Sequence, residues 1–252
     1  MEKDWYTNEK VEKSLDMVSN IVSDVSEDTG THLQNPNPTY FERFLSFVFN
    51  RKVTIVQASK SKSKPLDRQQ VINVLMKSPM NTELSFQDAN FTGADLSKLD
   101  LSNINFKYAL LMGCNLEGTN LRMCNLEGCN LSGSNMSGSD LQEVNFQGAN
   151  CSRVNMSGCD LQKACFQGAN CSRVNMSASN LREVQFQGAN LSRCNMSASH
   201  LQNAKFRGAN CLHCDMSGSD LTDAGFQGAN MMWCNMSGSQ LQNVNFAGAN
   251  VM

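Results

Sequence analysis

From Phe86 onward, every fifth residue of this chain is apolar. The series begins Phe86, Phe91, Leu96, Leu101, Phe106 and runs unbroken through Leu241, Phe246 and Val251. Its 34 positions are filled only by Leu, Phe, Met, Cys and Val. Two residues before each stands a second inward candidate, usually small, as at Ala89, Ala94, Cys114, Ser134, Ala149 and Ala169. The residue between is usually Asn or Asp. A period of five suits neither a 3.6-residue helix nor a two-residue strand. It suits a chain that turns a corner every five residues, so that four units close one square coil.

A second period supports that reading. Asn135-Met136-Ser137-Gly138 returns as Asn155-Met156-Ser157-Gly158, and again with small changes at 175, 195, 215 and 235. Each face therefore has its own predicted interior stack. One holds Met136 to Met236, the next Leu141 to Leu241, and the third Phe146 to Phe246. The fourth is mixed: Cys151, Cys171, Leu191, Cys211, Met231, Val251. With coils roughly 4.8 Å apart, like side chains fall on top of one another. The small inward residues let the walls approach, Gly, Ser and Asn suit the corners, and stacked Asn side chains can hydrogen-bond along the ladder.

Units such as Ala89-Asn90-Phe91-Thr92-Gly93 and Ala94-Asp95-Leu96-Ser97-Lys98 resemble the pentapeptide-repeat family, whose consensus is A(D/N)LXX. The resemblance covers about two-thirds of the chain. It implies an all-β fold, a right-handed quadrilateral β-helix preceded by a small helical N-terminal region. The expected segments are 1–36, helical or partly disordered; 37–64, an aromatic-rich remnant and linker; 65–82, a capping helix; and 83–252, the repeat.

The first 80 residues follow other rules. Val11, Leu15, Val18, Val22 and Val25 lie at amphipathic helix spacing. Asn35-Pro36-Asn37-Pro38 breaks the chain, and Lys60-Ser61-Lys62-Ser63-Lys64-Pro65 is a basic linker. Asp67 can cap a helix over Arg68 to Lys77 that buries Val71, Val74 and Leu75 and shields the first coil's open edge. Between them, Asn37-Pro38-Thr39-Tyr40-Phe41-Glu42-Arg43-Phe44-Leu45-Ser46-Phe47-Val48, followed by Arg51-Lys52-Val53, resembles the later part of a BTB domain of the KCTD type. Tyr40, Phe41, Phe44, Leu45 and Phe47 carry that likeness, while residues 1–36 hold no counterpart of the domain's first half. The stretch from Asp67 to Leu101 resembles the junction into the repeats of that family's pentapeptide-repeat member. The resemblance implies a substrate-recognition adaptor that binds cullin-3 through the BTB segment and its substrate through the repeats.

Composition narrows the function. Lys and Arg number 21 against 23 Asp and Glu, a formal charge of −2. The repeat alone, residues 86–252, holds 10 basic and 12 acidic residues. That balance argues against a nucleic-acid surface and against the alternative reading, a DNA mimic that protects topoisomerases. The charged start MEKDWYTNEK lacks the apolar stretch of a signal peptide, and no run is long enough to span a membrane. An intracellular, cytoplasmic or nuclear, reducing compartment is expected, with the eleven cysteines free. Seven of them (Cys114, Cys124, Cys129, Cys159, Cys194, Cys214, Cys234) fall on the small inward position and Cys151, Cys171 and Cys211 on the large one. Only Cys165 is out of phase. Cys211-Leu212-His213-Cys214 has superficial zinc-ligand spacing, but the frame turns His213 outward, so no metal is expected. A square coil this narrow is filled by its own Met and Phe stacks, so no cofactor is expected. No nucleophile elbow or phosphate loop occurs, so the chain is not expected to be an enzyme.

One surface column stands out: Gly133, Arg153, Arg173, Arg193, His213, Trp233. Stacked arginines repel by on the order of 1 kcal/mol per neighbouring pair before screening. They either splay apart, helped by Glu143 and Glu183 around the corner, or receive an acidic partner segment. In the second case Trp233 is the anchor and exposed Leu212 and Met232 lie beside it. Three function classes follow: a protein-interaction adaptor, the DNA mimic, or an orphan structural scaffold without cullin binding. Val251 is an inward position followed at once by Met252, so the last coil is expected to offer an uncapped edge for pairing into homo-oligomers.

Overall fold

The computed structural model describes residues 64–78 and 83–251, with the backbone of Val56–Gln57. The chain divides into two units, Met1–Arg51 and Lys52–Met252. The first lies outside the described residues, and with it the amphipathic segment at Val11–Val25 and the BTB-like residues Tyr40, Phe41, Phe44, Leu45 and Phe47.

Strand β1 (Val56–Gln57) pairs in parallel with β2 (Leu84–Ser85). Between them lies helix α1 (Arg68–Lys77). Its start follows the sequence signal: Asp67 Oδ1 accepts from the Gln70 amide at 2.9 Å, and Gln70 Oε1 accepts from the Asp67 amide at 3.0 Å. This reciprocal box satisfies two otherwise orphaned donors. The buried pair is Val71 and Ile72, whereas Val74 and Leu75, expected inside, are only partly covered. The Leu66 amide donates to Asn90 O at 2.7 Å and Arg68 Nη1 to Ser97 O at 2.8 Å, tying this segment to the first coil.

From Ser85 on, the residue between the small and the large inward positions bridges its counterpart 20 residues later in parallel register, from Ser85↔Asn105 to Asn230↔Asn250. Four five-residue faces therefore make each coil. Within a unit, the large inward residue donates its amide to the next coil, as Phe146 does to Cys165 O at 2.7 Å. Its carbonyl closes a turn by accepting from the residue three on, as in Ala149 to Phe146 at 3.0 Å. The second corner residue sits at φ near +60° throughout, at eighteen non-glycine positions as well as fifteen glycines. A turn with positive φ at its third residue is the type II geometry. The expected Gly, Ser and Asn corners are thus only part of the pattern: Arg, Glu, Lys, His and Trp occupy the left-handed corner as well.

The interior stacks match the 20-residue phase. Phe146, Phe166, Phe186, Phe206, Phe226 and Phe246 stack at centroid distances of 4.4–5.6 Å. The small inward column at Thr119, Ser139, Cys159, Ser179, Ser199, Ser219 and Ser239 does more than save space. Ser199 Oγ accepts the Ser179 amide at 3.2 Å and donates to Met176 O at 2.9 Å, so a hydroxyl from the next coil completes the turn below. Ser219 repeats the relay with Ser199 and Met196. Cysteines on small inward positions act alike: Cys114 Sγ donates to Phe91 O at 2.8 Å and Cys159 Sγ to Met136 O at 2.9 Å. Nine of the eleven cysteines are buried and free; Cys234, on the last coils, is half-buried, and out-of-phase Cys165 sits on a ladder position. On the last described coil Leu241 is 41% and Val251 60% exposed.

Candidate functional site

The fourth face builds the most distinctive surface. Its inward residues Cys151, Cys171 and Leu191 are wholly buried, and each is followed by a Ser and then an Arg. The turn closes behind each arginine, with the Val154 amide donating to Cys151 O at 3.2 Å and Val174 to Cys171 O at 3.3 Å. The arginine amides tie the corner to the next coil: Arg153 to Ser172 O at 3.0 Å, Arg173 to Ser192 O at 2.9 Å, Arg193 to Leu212 O at 2.8 Å. Successive arginines are therefore locked in register at the coil rise, roughly 4.8 Å. Their φ values are +60°, +59° and +61°. An L-residue is strained there by about 1–2 kcal/mol.

Beside the arginines runs an asparagine ladder. Asn150 Nδ2 donates to Asn130 Oδ1 at 3.2 Å, Asn170 to Asn150 at 3.2 Å and Asn190 to Asn170 at 3.3 Å. Asn150, Asn170 and Asn190 Oδ1 also accept from the Ser152, Ser172 and Ser192 amides. The ladder and the arginines line an open groove of about 760 Å³ across four coils, beginning at Gly133, where the column has no side chain. Among the described residues, Arg153, Arg173 and Arg193 have no ion-pair partner, and the Ser152, Ser172 and Ser192 hydroxyls have no hydrogen-bond partner.

Glu143 and Glu183 do not relieve the arginines. They stand two corners away, diagonally across the square, and Glu143 pairs with Arg122 at 3.3 Å. The corners flanking the arginine column carry only Gly or Ala over the same coils, at 148, 168 and 188 on one side and 158, 178 and 198 on the other. Among the described residues, the basic ridge thus projects alone. Counting two five-residue steps from 143 to 153 is enough to find this in the sequence.

Past Arg193 the column continues into His213 and Trp233, whose rings stack at 6.2 Å with 15° between planes. Trp233 is 68% exposed. Leu212 and Met232, expected to be exposed, are half-buried: each follows an inward residue and lies along the wall. Cys211 and Cys214 are buried while His213 is on the surface, so these three do not converge. No group of three or more His, Cys, Asp or Glu among the described residues is placed to hold a metal ion. Burial pushes the thiol pKa of Cys114 up to about 11, and those of Cys124, Cys129 and Cys159 up to about 12. Cys171 is raised by its hydrogen bond with Cys151 and by burial. No described helix is long and apolar enough to cross a membrane.

Comparison with curated protein sequences returns no match. Solved structures do show similarity. HetL, a pentapeptide repeat protein involved in heterocyst differentiation regulation in the cyanobacterium Nostoc sp. strain PCC 7120, is 20% identical over 86% of this chain and 97% of its own, with a TM-score of 0.34. Trypsin-treated QnrB1, a plasmid-mediated fluoroquinolone resistance protein, is 23% identical over 61% of this chain and 89% of its own, with a TM-score of 0.39. A pentapeptide repeat protein of the Arabidopsis thaliana thylakoid lumen is 25% identical over 41% of this chain and 68% of its own, at 0.31. The family model for pentapeptide repeats matches in eight copies, over residues 85–122, 109–148, 134–170, 166–197 and 199–238. The chain therefore belongs to the pentapeptide-repeat family, and its five-residue, four-sided coil is that family's right-handed β-helix.

Proposed function

We propose that this chain is a non-enzymatic scaffold that binds a protein partner on the ridge running from Arg153 to Trp233. The observation that carries the reading is three arginines in strict register, without ion pairs among the described residues, held on left-handed backbone beside an open polar groove. The same left-handed conformation recurs at fifteen other non-glycine corners, so what sets this column apart is the register of three cations without ion pairs among the described residues, not the strain itself. An aromatic pair at the end of the ridge supplies rigid apolar area, which interfaces use as anchors. The described coils are filled by their own Phe, Leu and Met stacks.

A photo-cross-linking residue at Ser172 tests this, with the same residue at Asn203 on the diagonal corner as the control. In cell extract, adducts to another protein are expected from Ser172 and not from Asn203. Equal yields from both, or none from Ser172, would overturn the reading. A finer reading makes the scaffold a substrate adaptor of a cullin-3 ubiquitin ligase. It draws on the resemblance of Asn37–Val48, which lies outside the described residues, and co-purification of the full chain with cullin-3 tests it. The DNA-mimic alternative fits poorly with 10 basic against 12 acidic residues in the repeat and a ridge of exposed arginines.

A further inference from the structure

We infer that the ligand of this ridge is a short, extended, acidic segment of the partner, with two carboxylates two residues apart and an apolar side chain three or four residues beyond them. The inference rests on the proposed binding face and specifies what fills it. Arg153, Arg173 and Arg193 rise by one coil each, so the three span roughly 10 Å along the axis. Side chains on one side of an extended strand recur every ~6.8 Å. Two carboxylates at that spacing, centred over Arg173, each lie between two guanidinium groups. Adjacent acidic residues point to opposite sides of a strand and cannot both face the ridge. Residues five apart are separated by roughly 17 Å and overshoot it.

The groove floor suits the same ligand. An extended segment leaves its own N–H and C=O groups unpaired, and the Ser152, Ser172 and Ser192 hydroxyls stand along the groove without partners among the described residues. Arginine forks match carboxylates in geometry and form the stronger, charge-assisted hydrogen bonds. Trp233 lies two coils past Arg193, roughly 10 Å on, the reach of about three extended residues. Its ring is 68% exposed, stacked on His213, and therefore presented as a rigid surface for an apolar side chain. A nucleic-acid strand is the weaker occupant. Affinity for a phosphate backbone grows with the number of phosphates neutralised and falls with salt, and this ridge offers three arginines flanked by neutral corners.

The experiment is fluorescence anisotropy of the full chain with labelled peptides. The probe Gly-Gly-Glu-Gly-Glu-Gly-Gly-Gly-Leu carries the proposed spacing, and an isomer of the same composition has its glutamates five residues apart. A ten-nucleotide thymidine strand is the third ligand. The first peptide is expected to bind about tenfold tighter than its isomer and to lose about tenfold on Arg173→Gln, the scale of one charge-assisted contact. Glu183→Gln, on the diagonal corner, should change nothing. Trp233→Ala should weaken the first peptide but not its Leu-to-Gly relative. Equal binding of the two isomers, or tighter binding of the nucleotide strand, overturns the inference. If Ser172 cross-links a partner and no peptide binds, the ligand chemistry is wrong while the binding face stands. If Ser172 cross-links nothing, the face itself is wrong.

Discussion

Replacing Arg173 by glycine should make this protein more stable. Arg173 sits at φ +59° on a corner whose turn is closed by hydrogen bonds on both sides. The left-handed region costs an L-residue about 1–2 kcal/mol. Glycine adopts it freely but loses more chain entropy on folding, about 0.5–1 kcal/mol. The difference is a net gain of up to about 1.5 kcal/mol. No hydrogen bond or ion pair of the Arg173 side chain is lost among the described residues, and removing the middle cation also relieves two like-charge contacts. The backbone already accepts glycine in this column, at Gly133 with φ +71° and open space around it. The control is Arg182→Gly, one place before a corner and outside the left-handed region, where Arg182 Nη1 donates to Asn180 Oδ1 at 3.3 Å. That change should cost about 0.5–1 kcal/mol. Thermal unfolding followed by circular dichroism resolves the two, since 1 kcal/mol moves the midpoint by about 2–4 °C at this size. If Arg173→Gly lowers the midpoint as Arg182→Gly does, the strain assigned to the arginine corners is wrong.

Further outcomes follow from the interior. Ser199→Ala should destabilise by about 1 kcal/mol, because the hydroxyl relay is lost while the Ser179 amide is left to close the turn directly on Met176 O, as the Ser139 amide does on Met136 O at 3.2 Å. Ser199→Cys should lose less, because a thiol in this column can still donate as Cys159 does, and urea midpoints compare the two. Phe186→Ala removes a ring stacked on both sides, at 5.1 and 5.2 Å, and should cost about 3–5 kcal/mol in the same assay. The thiols set an alkaline limit. Cys114, Cys124, Cys129 and Cys159 hold their protons to about 11 or 12 when folded, against 9.0 in a free chain. The folded state then binds more protons, so stability is complete below pH 9 and falls above it. Each thiol contributes a slope of about 1.4 kcal/mol per pH unit until its folded value is reached. Urea midpoints measured with reductant from pH 8 to 10.5 should fall from pH 9 on; a flat profile contradicts the burial argument.

Much of this architecture is written in the spacing of the residues. A five-residue apolar period and a 20-residue phase suffice to place Phe146 between Leu126 and Phe166, because parallel coils of equal length leave no freedom of register. The same phase puts Arg153, Arg173 and Arg193 in one column. What spacing does not reveal is backbone conformation. Arg, Glu and Trp disfavour φ near +60°, and they adopt it here because the turn and ladder hydrogen bonds around each corner outweigh the strain. The serine relay is hidden for a related reason. Ser179, Ser199 and Ser219 read as small residues, and only the folded geometry shows that the Ser199 and Ser219 hydroxyls each replace a turn hydrogen bond in the coil below. Helix α1 is legible from its Asp67 cap and largely from its inner face: Val71 is buried and Val74 and Leu75 pack partly covered against the core, while Ile72, which the spacing does not single out, is buried beside Val71.

The central claim is that the arginine ridge exists for binding and not for folding. The triple variant Arg153→Gly, Arg173→Gly, Arg193→Gly tests both halves in one protein. Its thermal midpoint should rise, and the proteins captured on it from cell extract should lack those that the unaltered chain retains. A triple variant that is more stable and still captures every partner would reduce the ridge to a solubility device, and one that is less stable would show that the arginines serve folding.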